Sequence, residues 1–129
     1  MTQATEILGR APYVSLATFR KSGVAVPTPV WAAPSGQRLY VFSAGNAGKV
    51  KRLRNSARAE VAVCDVRGKV LGAWYPAMAI VLEDRDEIEQ ALLALRRKYG
   101  WQMWLADVGA RLTGKFERRA YIRVELTGE

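Results

Sequence analysis

Residues 43–54 read Ser43-Ala44-Gly45-Asn46-Ala47-Gly48-Lys49-Val50-Lys51-Arg52-Leu53-Arg54, a strand end that passes through a loop of small residues into a basic helix. That order of residue types can hold an anion. The first N–H groups of a helix lack intrahelical partners and lie at the positive end of its dipole, and glycines let the backbone come close to a phosphate. Lys49 and Arg52 would then neutralise the charge. The segment is neither a P-loop nor a dinucleotide fingerprint, because Gly45 and Gly48 stand too close together and Val50 occupies the place of the magnesium-binding hydroxyl. A solvated basic helix face has the same composition, so these residues alone leave both readings open.

What the chain lacks narrows its chemistry further. It has no histidine, which removes Ser-His-Asp and Cys-His catalysis, His-ligated zinc and His-ligated haem together. Cys64 is the single cysteine, so no intrachain disulfide or multi-cysteine metal site can form, and at a strand end it reads as a small buried hydrophobe. Tyr40 and Tyr75 are candidate proton donors, though a strand tyrosine more often serves packing. A bound organic cofactor is the natural source of reactivity, since it asks the protein only for binding, orientation and electrostatics.

Twenty Lys and Arg against twelve acids give a net charge of +8, which attracts polyanions: phosphorylated cofactors, nucleic acid or acidic membranes. The basic residues are spread over Arg10, Arg20, Arg38, Arg58, Arg96, Arg97, Arg118 and Arg119 besides the helix, without aromatic-basic interleaving, so a nucleic-acid partner is not expected. Nor is a membrane partner, because the longest apolar stretch, residues 73–82, is short and contains Pro76. Glu6 and Arg10 interrupt the apolar segment a signal peptide needs, which makes a cytoplasmic location the expectation.

The elements that must position these residues follow from periodicity. Residues 13–19 and 24–33 read as a hairpin around Arg20-Lys21-Ser22-Gly23, with Pro27 and Pro29 confining the second strand to an edge, an irregular path or a ligand-facing side. Residues 38–43 form the third strand, 59–64 the fourth, and 70–82 a long fifth strand bent at Pro76. Asp84 followed by Glu87 is a capping-box-like start for a helix carrying Ile88, Leu92, Leu95 and Tyr99, which Gly100 ends. Residues 101–112 can form another helix, on which Trp101 and Trp104 are expected as core or dimer contacts. Residues 120–126 alternate, with Ile122, Val124 and Leu126 on one face. The fold class is thus mainly β (α+β), about six antiparallel strands with roughly two to four helices. No repeat or linker divides residues 1–129 into more than one domain.

Val26-Pro27-Thr28-Pro29-Val30-Trp31, then Leu39-Tyr40-Val41-Phe42-Ser43, Gly48 through Asn55, and Arg67-Gly68 with Gly72, are similar in order and spacing to the coenzyme F420-dependent branch of the pyridoxamine 5'-phosphate oxidase-like family. The likeness covers most of the chain. It implies a split β-barrel of the FMN-binding type, a homodimer with two cofactor sites at the subunit interface, and a deazaflavin ring over the second and third strands. By correspondence Thr28, Val30 and Trp31 resemble the stretch beside the ring, Ser43 the strand end near the phosphate, Lys49, Arg52 and Arg54 the phosphate-binding positions, and Trp74 a pocket wall. Lys51 would face solvent. The first turn, Lys21-Ser22-Gly23, lacks the acidic residue common in that branch, and no matched residue specifies a substrate. The activity implied is hydride transfer between the reduced coenzyme and an electron-poor small molecule. An FMN-dependent oxidase or reductase and a non-catalytic cofactor-storage or sensor protein are the alternatives on the same barrel, and a nucleic-acid-binding module is the remote one.

Overall fold

The computed structural model describes residues 3–127, so four residues of the expected domain, 1, 2, 128 and 129, lie outside the described part. The elements follow in the order α1 (Gln3–Arg10), β1 (Tyr13–Phe19), β2 (Ala25–Val30), β3 (Ala32–Ser35), β4 (Arg38–Ala44), α2 (Gly48–Asn55), β5 (Arg58–Cys64), β6 (Tyr75–Val81), α3 (Arg85–Tyr99), α4 (Trp101–Leu112), a 3-10 turn (Phe116–Arg118) and β7 (Arg119–Leu126). All strands join one antiparallel sheet in the order β2-β1-β5-β6-β7-β4-β3.

That order closes the sheet. β2 and β3 are its two edges, yet only Trp31 separates them in sequence. Two peptide steps span at most about 7.6 Å between Cα atoms, so the edges must meet and the sheet must curl into a barrel split at Trp31. The expected single strand over residues 24–33 is therefore two strands, because the chain changes sheet edge at Trp31. Its ring is held there, stacked on Tyr99 at 4.6 Å and edge-on to Phe42 at 6.0 Å between centroids.

Alternate residues of each strand fill the lumen: Val14, Leu16, Val30, Ala32, Leu39, Val41, Ala59, Val61, Ala77, Ala79, Ile122 and Val124, closed at its ends by Leu8 and Leu53. A second cluster, including Tyr40, Tyr99, Met103 and Tyr121, lies outside the barrel under α3 and α4. Helix α1 had no distinct sequence signal, since one buried leucine in eight residues does not define a period. β6 starts at Tyr75, five residues later than the expected strand. Val70 pairs only with Cys64, and the three steps from Val61 to Cys64 oppose five from Val70 to Tyr75, so the chain bulges before Pro76. Asp84 caps α3 through the Glu87 N–H at 3.3 Å, but the Glu87 carboxylate does not return to the cap; it accepts from Tyr40, Arg38 and Arg123 across the sheet.

The end of α3 staples the split. Lys98 donates to the carbonyls of Ala11 and Ala32, and the Tyr99 hydroxyl accepts from the Ala32 N–H at 3.0 Å and donates to the Pro12 carbonyl at 2.9 Å. Burial lowers the Lys98 amine to about 8 and pushes Tyr99 up to about 12. Between pH 8 and 10.5 the unfolded chain therefore binds more protons at Lys98 than the folded one, so stability gains with rising pH there; below about 8 both states are charged and the cost is constant. Above 10.0 Tyr99 acts in the opposite sense, because the folded chain keeps a proton that the unfolded chain loses. Urea midpoints are expected to rise from about pH 8 towards 10 and fall beyond, with the rise clearly smaller in Lys98→Met, where the lowered Lys49 amine still contributes in the same sense. A flat wild-type profile over that interval would show that Lys98 is fully solvated.

Candidate functional site

The barrel seam opens into a cleft of about 430 Å³ lined by Tyr13, Pro29, Val30, Trp31, Phe42, Ser43, Ala44, Ala47, Lys49, Val66 and Ala106. Through Phe42, Ser43, Ala44 and Ala106 it continues into a groove of about 910 Å³ between the end of β4, the inner face of α4 and the start of β7. Apolar walls dominate the first part. Cations dominate the second: Arg54, Lys115, Arg118 and Arg119 line it, with Glu117 the acid among them.

Each wall has a local cause. Prolines at 27 and 29 supply no N–H, so they suit β2 as an edge strand, with their side chains exposed. Lys49 leaves the first turn of α2, whose N-terminus no side chain caps, and its ammonium donates to the Ser43 hydroxyl at 3.3 Å. Burial, and secondarily the charge of Arg52, hold the Lys49 amine below its usual range. A half-buried cation of lowered pKa is short of negative partners, and an anion beside it would restore the charged form. Gly45 serves a different purpose from the one its place suggested. Its N–H donates to the Arg118 carbonyl at 2.8 Å, and a Cβ there would stand 2.2 Å from that oxygen. Only glycine permits that approach, which brings residues 116–119 to the groove. Arg119 is fixed by Asp107, which accepts from it at 2.7 Å and from Arg96 at 2.9 Å, and its guanidinium lies 4.6 Å from the Phe42 ring centroid.

Of the residues singled out in the sequence, the structure gathers Val30, Trp31, Ser43 and Lys49 in the cleft, with Ser43 and Arg54 lining the groove. Three others lie elsewhere. Thr28 is paired with Leu16, and its hydroxyl is buried without a partner. Arg52 donates through Nε to the Thr18 hydroxyl at 2.7 Å, its guanidinium lying against Gly48. Trp74 lines a separate hollow with Ala17, Ala25, Pro27 and Glu60. Tyr40 points under α3 towards Glu87, and Tyr75 packs against the barrel core; neither lines the cleft, where Tyr13 stands instead. Sequence reasoning missed Tyr13, Lys115, Arg118 and Arg119 because their approach depends on strand pairing and on Gly45. Among the described residues no group of His, Cys, Asp and Glu could hold a metal ion.

Residues 1–126 match the pyridoxamine 5'-phosphate oxidase family. The chain belongs to that family. The family's barrel recurs in solved structures of low identity. A conserved hypothetical protein from Mycobacterium tuberculosis superposes with a TM-score of 0.71 at 15% identity, over 99% of this chain and 82% of that one. A haem storage protein from Vibrio cholerae gives 0.71 at 11% identity, over 98% and 89%. An F420 reductase gives 0.62 at 18% identity, over 99% and 97%. No curated protein matches the chain in sequence. At these identities the likeness is one of fold, the described residues of this chain forming a seven-stranded half-barrel with four α-helices.

Proposed function

We propose that the protein is an oxidoreductase that binds coenzyme F420, with FMN as the alternative, and positions it for hydride exchange with an electron-poor small molecule. One observation carries this reading: an apolar cleft at the barrel seam, walled by Val30, Trp31 and Phe42, runs into a groove whose charged lining is nearly all cationic. That donor set suits a flat ring attached to a phosphate and an acidic tail. Lys49, Ser43 and Arg54 would hold the phosphate, and Arg118 and Lys115 the acidic extension. When bound, the reduced coenzyme supplies the hydride. The chain's own part is to exclude water with the Trp31 and Phe42 rings and to fix orientation, which lowers a barrier without acid–base side chains.

Titration of the purified protein with coenzyme F420 and with FMN tests the reading. The expected preference for F420 is at least about tenfold, or roughly 1.4 kcal/mol; equal or tighter FMN binding would transfer the site to the flavin. Turnover with a panel of enones and quinones separates an enzyme from a storage protein.

The family resemblance also supports a homodimer, and the outward residues of β6 suit one: Trp74 just before the strand, then Met78 and Ile80, are exposed apolar side chains on a sheet face. Light scattering is expected to give twice the 14.3 kDa of one chain, and Ile80→Glu with Met78→Lys to halve that mass. A wild-type mass of one chain at micromolar concentration would remove both the dimer and any site completed by a second subunit.

A further inference from the structure

Helix α4 turns its apolar residues outward. Its buried face carries Met103 and Asp107, while Trp101, Trp104, Leu105, Val108 and Leu112, spaced three or four residues apart, form one stripe on the opposite side. Trp101 is 70% exposed, Trp104 62% and Leu112 83%. Of the expectation that these tryptophans are core or dimer contacts, the core half is thereby overturned: Met103 and Asp107 take the inward positions, and the helical period sends the tryptophans out. Cations flank the stripe. Arg96 and Arg111 share a hollow with Trp104. The acid of α4, Asp107, is buried and spent on Arg96 and Arg119.

From this arrangement we propose that the outer face of α4 docks on an anionic lipid surface, with the two indoles and the leucines entering the headgroup boundary and the flanking cations meeting lipid phosphates. Tryptophan suits that boundary because one end of its ring system is apolar and the other donates a hydrogen bond. A net charge of +8 complements an acidic bilayer. A second copy fits less well, since two-fold docking of this face would set Arg111 and its neighbours against their own like charges. Although the sequence led to no membrane partner being expected, the short apolar stretches exclude only a span: no helix among the described residues is long and apolar enough to cross a membrane, and α4 would lie on the surface. The inference is independent of the cofactor reading, because the stripe faces away from the groove that Ala106, Gly109 and Ala110 line.

Co-sedimentation of the full chain with vesicles of phosphatidylcholine alone and of phosphatidylcholine with phosphatidylglycerol tests this. Wild type is expected to pellet with the acidic vesicles and much less with the neutral ones. Trp101→Ser with Trp104→Ser should lower the partition coefficient by about a hundredfold, and Arg111→Glu by about tenfold on acidic vesicles only. Both changes are on exposed side chains, and circular dichroism checks that the fold is kept; Leu112→Ser alone gives a milder variant with the same expected direction. Failure of wild type to pellet with acidic vesicles overturns the proposal and leaves a protein surface to cover the stripe. Equal pelleting of the double tryptophan variant overturns it too, as does a fall in that variant's mass in lipid-free solution, which would make the stripe a contact between copies.

Discussion

Lys49→Ala is expected to weaken binding of a phosphate-bearing cofactor by roughly ten- to a hundredfold, the worth of one or more charged hydrogen bonds at about 1.5 to 3 kcal/mol. The structure sharpens the reason. Lys49 is half-buried at the uncapped start of α2, its amine is held low by burial, and its hydrogen bond to Ser43 is a long contact at 3.3 Å. A phosphate there would gain a cation already oriented and partly dehydrated, so little ordering cost remains. Arg97→Ala also removes one positive charge, from an exposed position on α3, and should act only through the long-range field. Isothermal titration of both variants at low and high salt separates contact from field. Equal losses that salt abolishes would make α2 a solvated face. Arg52→Ala is expected to behave differently from Lys49→Ala, since its Nε is engaged by Thr18, and its loss should show in stability as well as in affinity.

The second large effect concerns Asp107. Its carboxylate and the Arg119 guanidinium are both nearly inaccessible, with side-chain exposures of 5% and 7%, and Arg96 supplies the other charge at 2.9 Å. Removing the acid strands a buried guanidinium. Breaking such a pair costs about 3–5 kcal/mol, which for a domain of this size lowers the melting temperature by on the order of 10 °C or more. Asp107→Ala should therefore unfold early in a thermal melt and release Arg119 from the groove wall. Asp107→Leu with Arg119→Met should recover much of the stability, because an apolar pair of similar volume has no charge to desolvate. If Asp107→Ala melted within about 2 °C of wild type, the pair would be solvated and the groove wall not fixed by it.

Much of the architecture was legible in local patterns. Strand-like runs of apolar residues mark β1, β5 and β7, the Asp84 cap and Gly100 bound α3, and the order of the Pro-flanked Val30-Trp31 stretch and the basic helix of residues 48–55 carries the family resemblance that the match over residues 1–126 confirms. These signals survive in sequence because periodicity, caps and turn residues act over a few neighbouring positions. Residues 24–33 and 70–82 were less legible. Both are β-prone throughout, and what interrupts them is the closure of the sheet at Trp31 and a bulge against β5.

The sequence by itself determined the family, the mainly β barrel with its helices, the absence of histidine-based chemistry and the strong positive charge. Tertiary structure alone decided how those residues divide. It brought Arg118 to Gly45 across seventy-odd positions, turned Arg52 away to Thr18, set Trp74 in a different hollow from Trp31, and left Trp101 and Trp104 outside. The physical reason is that each of these depends on which strands pair and in what register. A register is a property of the whole closed sheet, and one step of slip would exchange every inward side chain for an outward one.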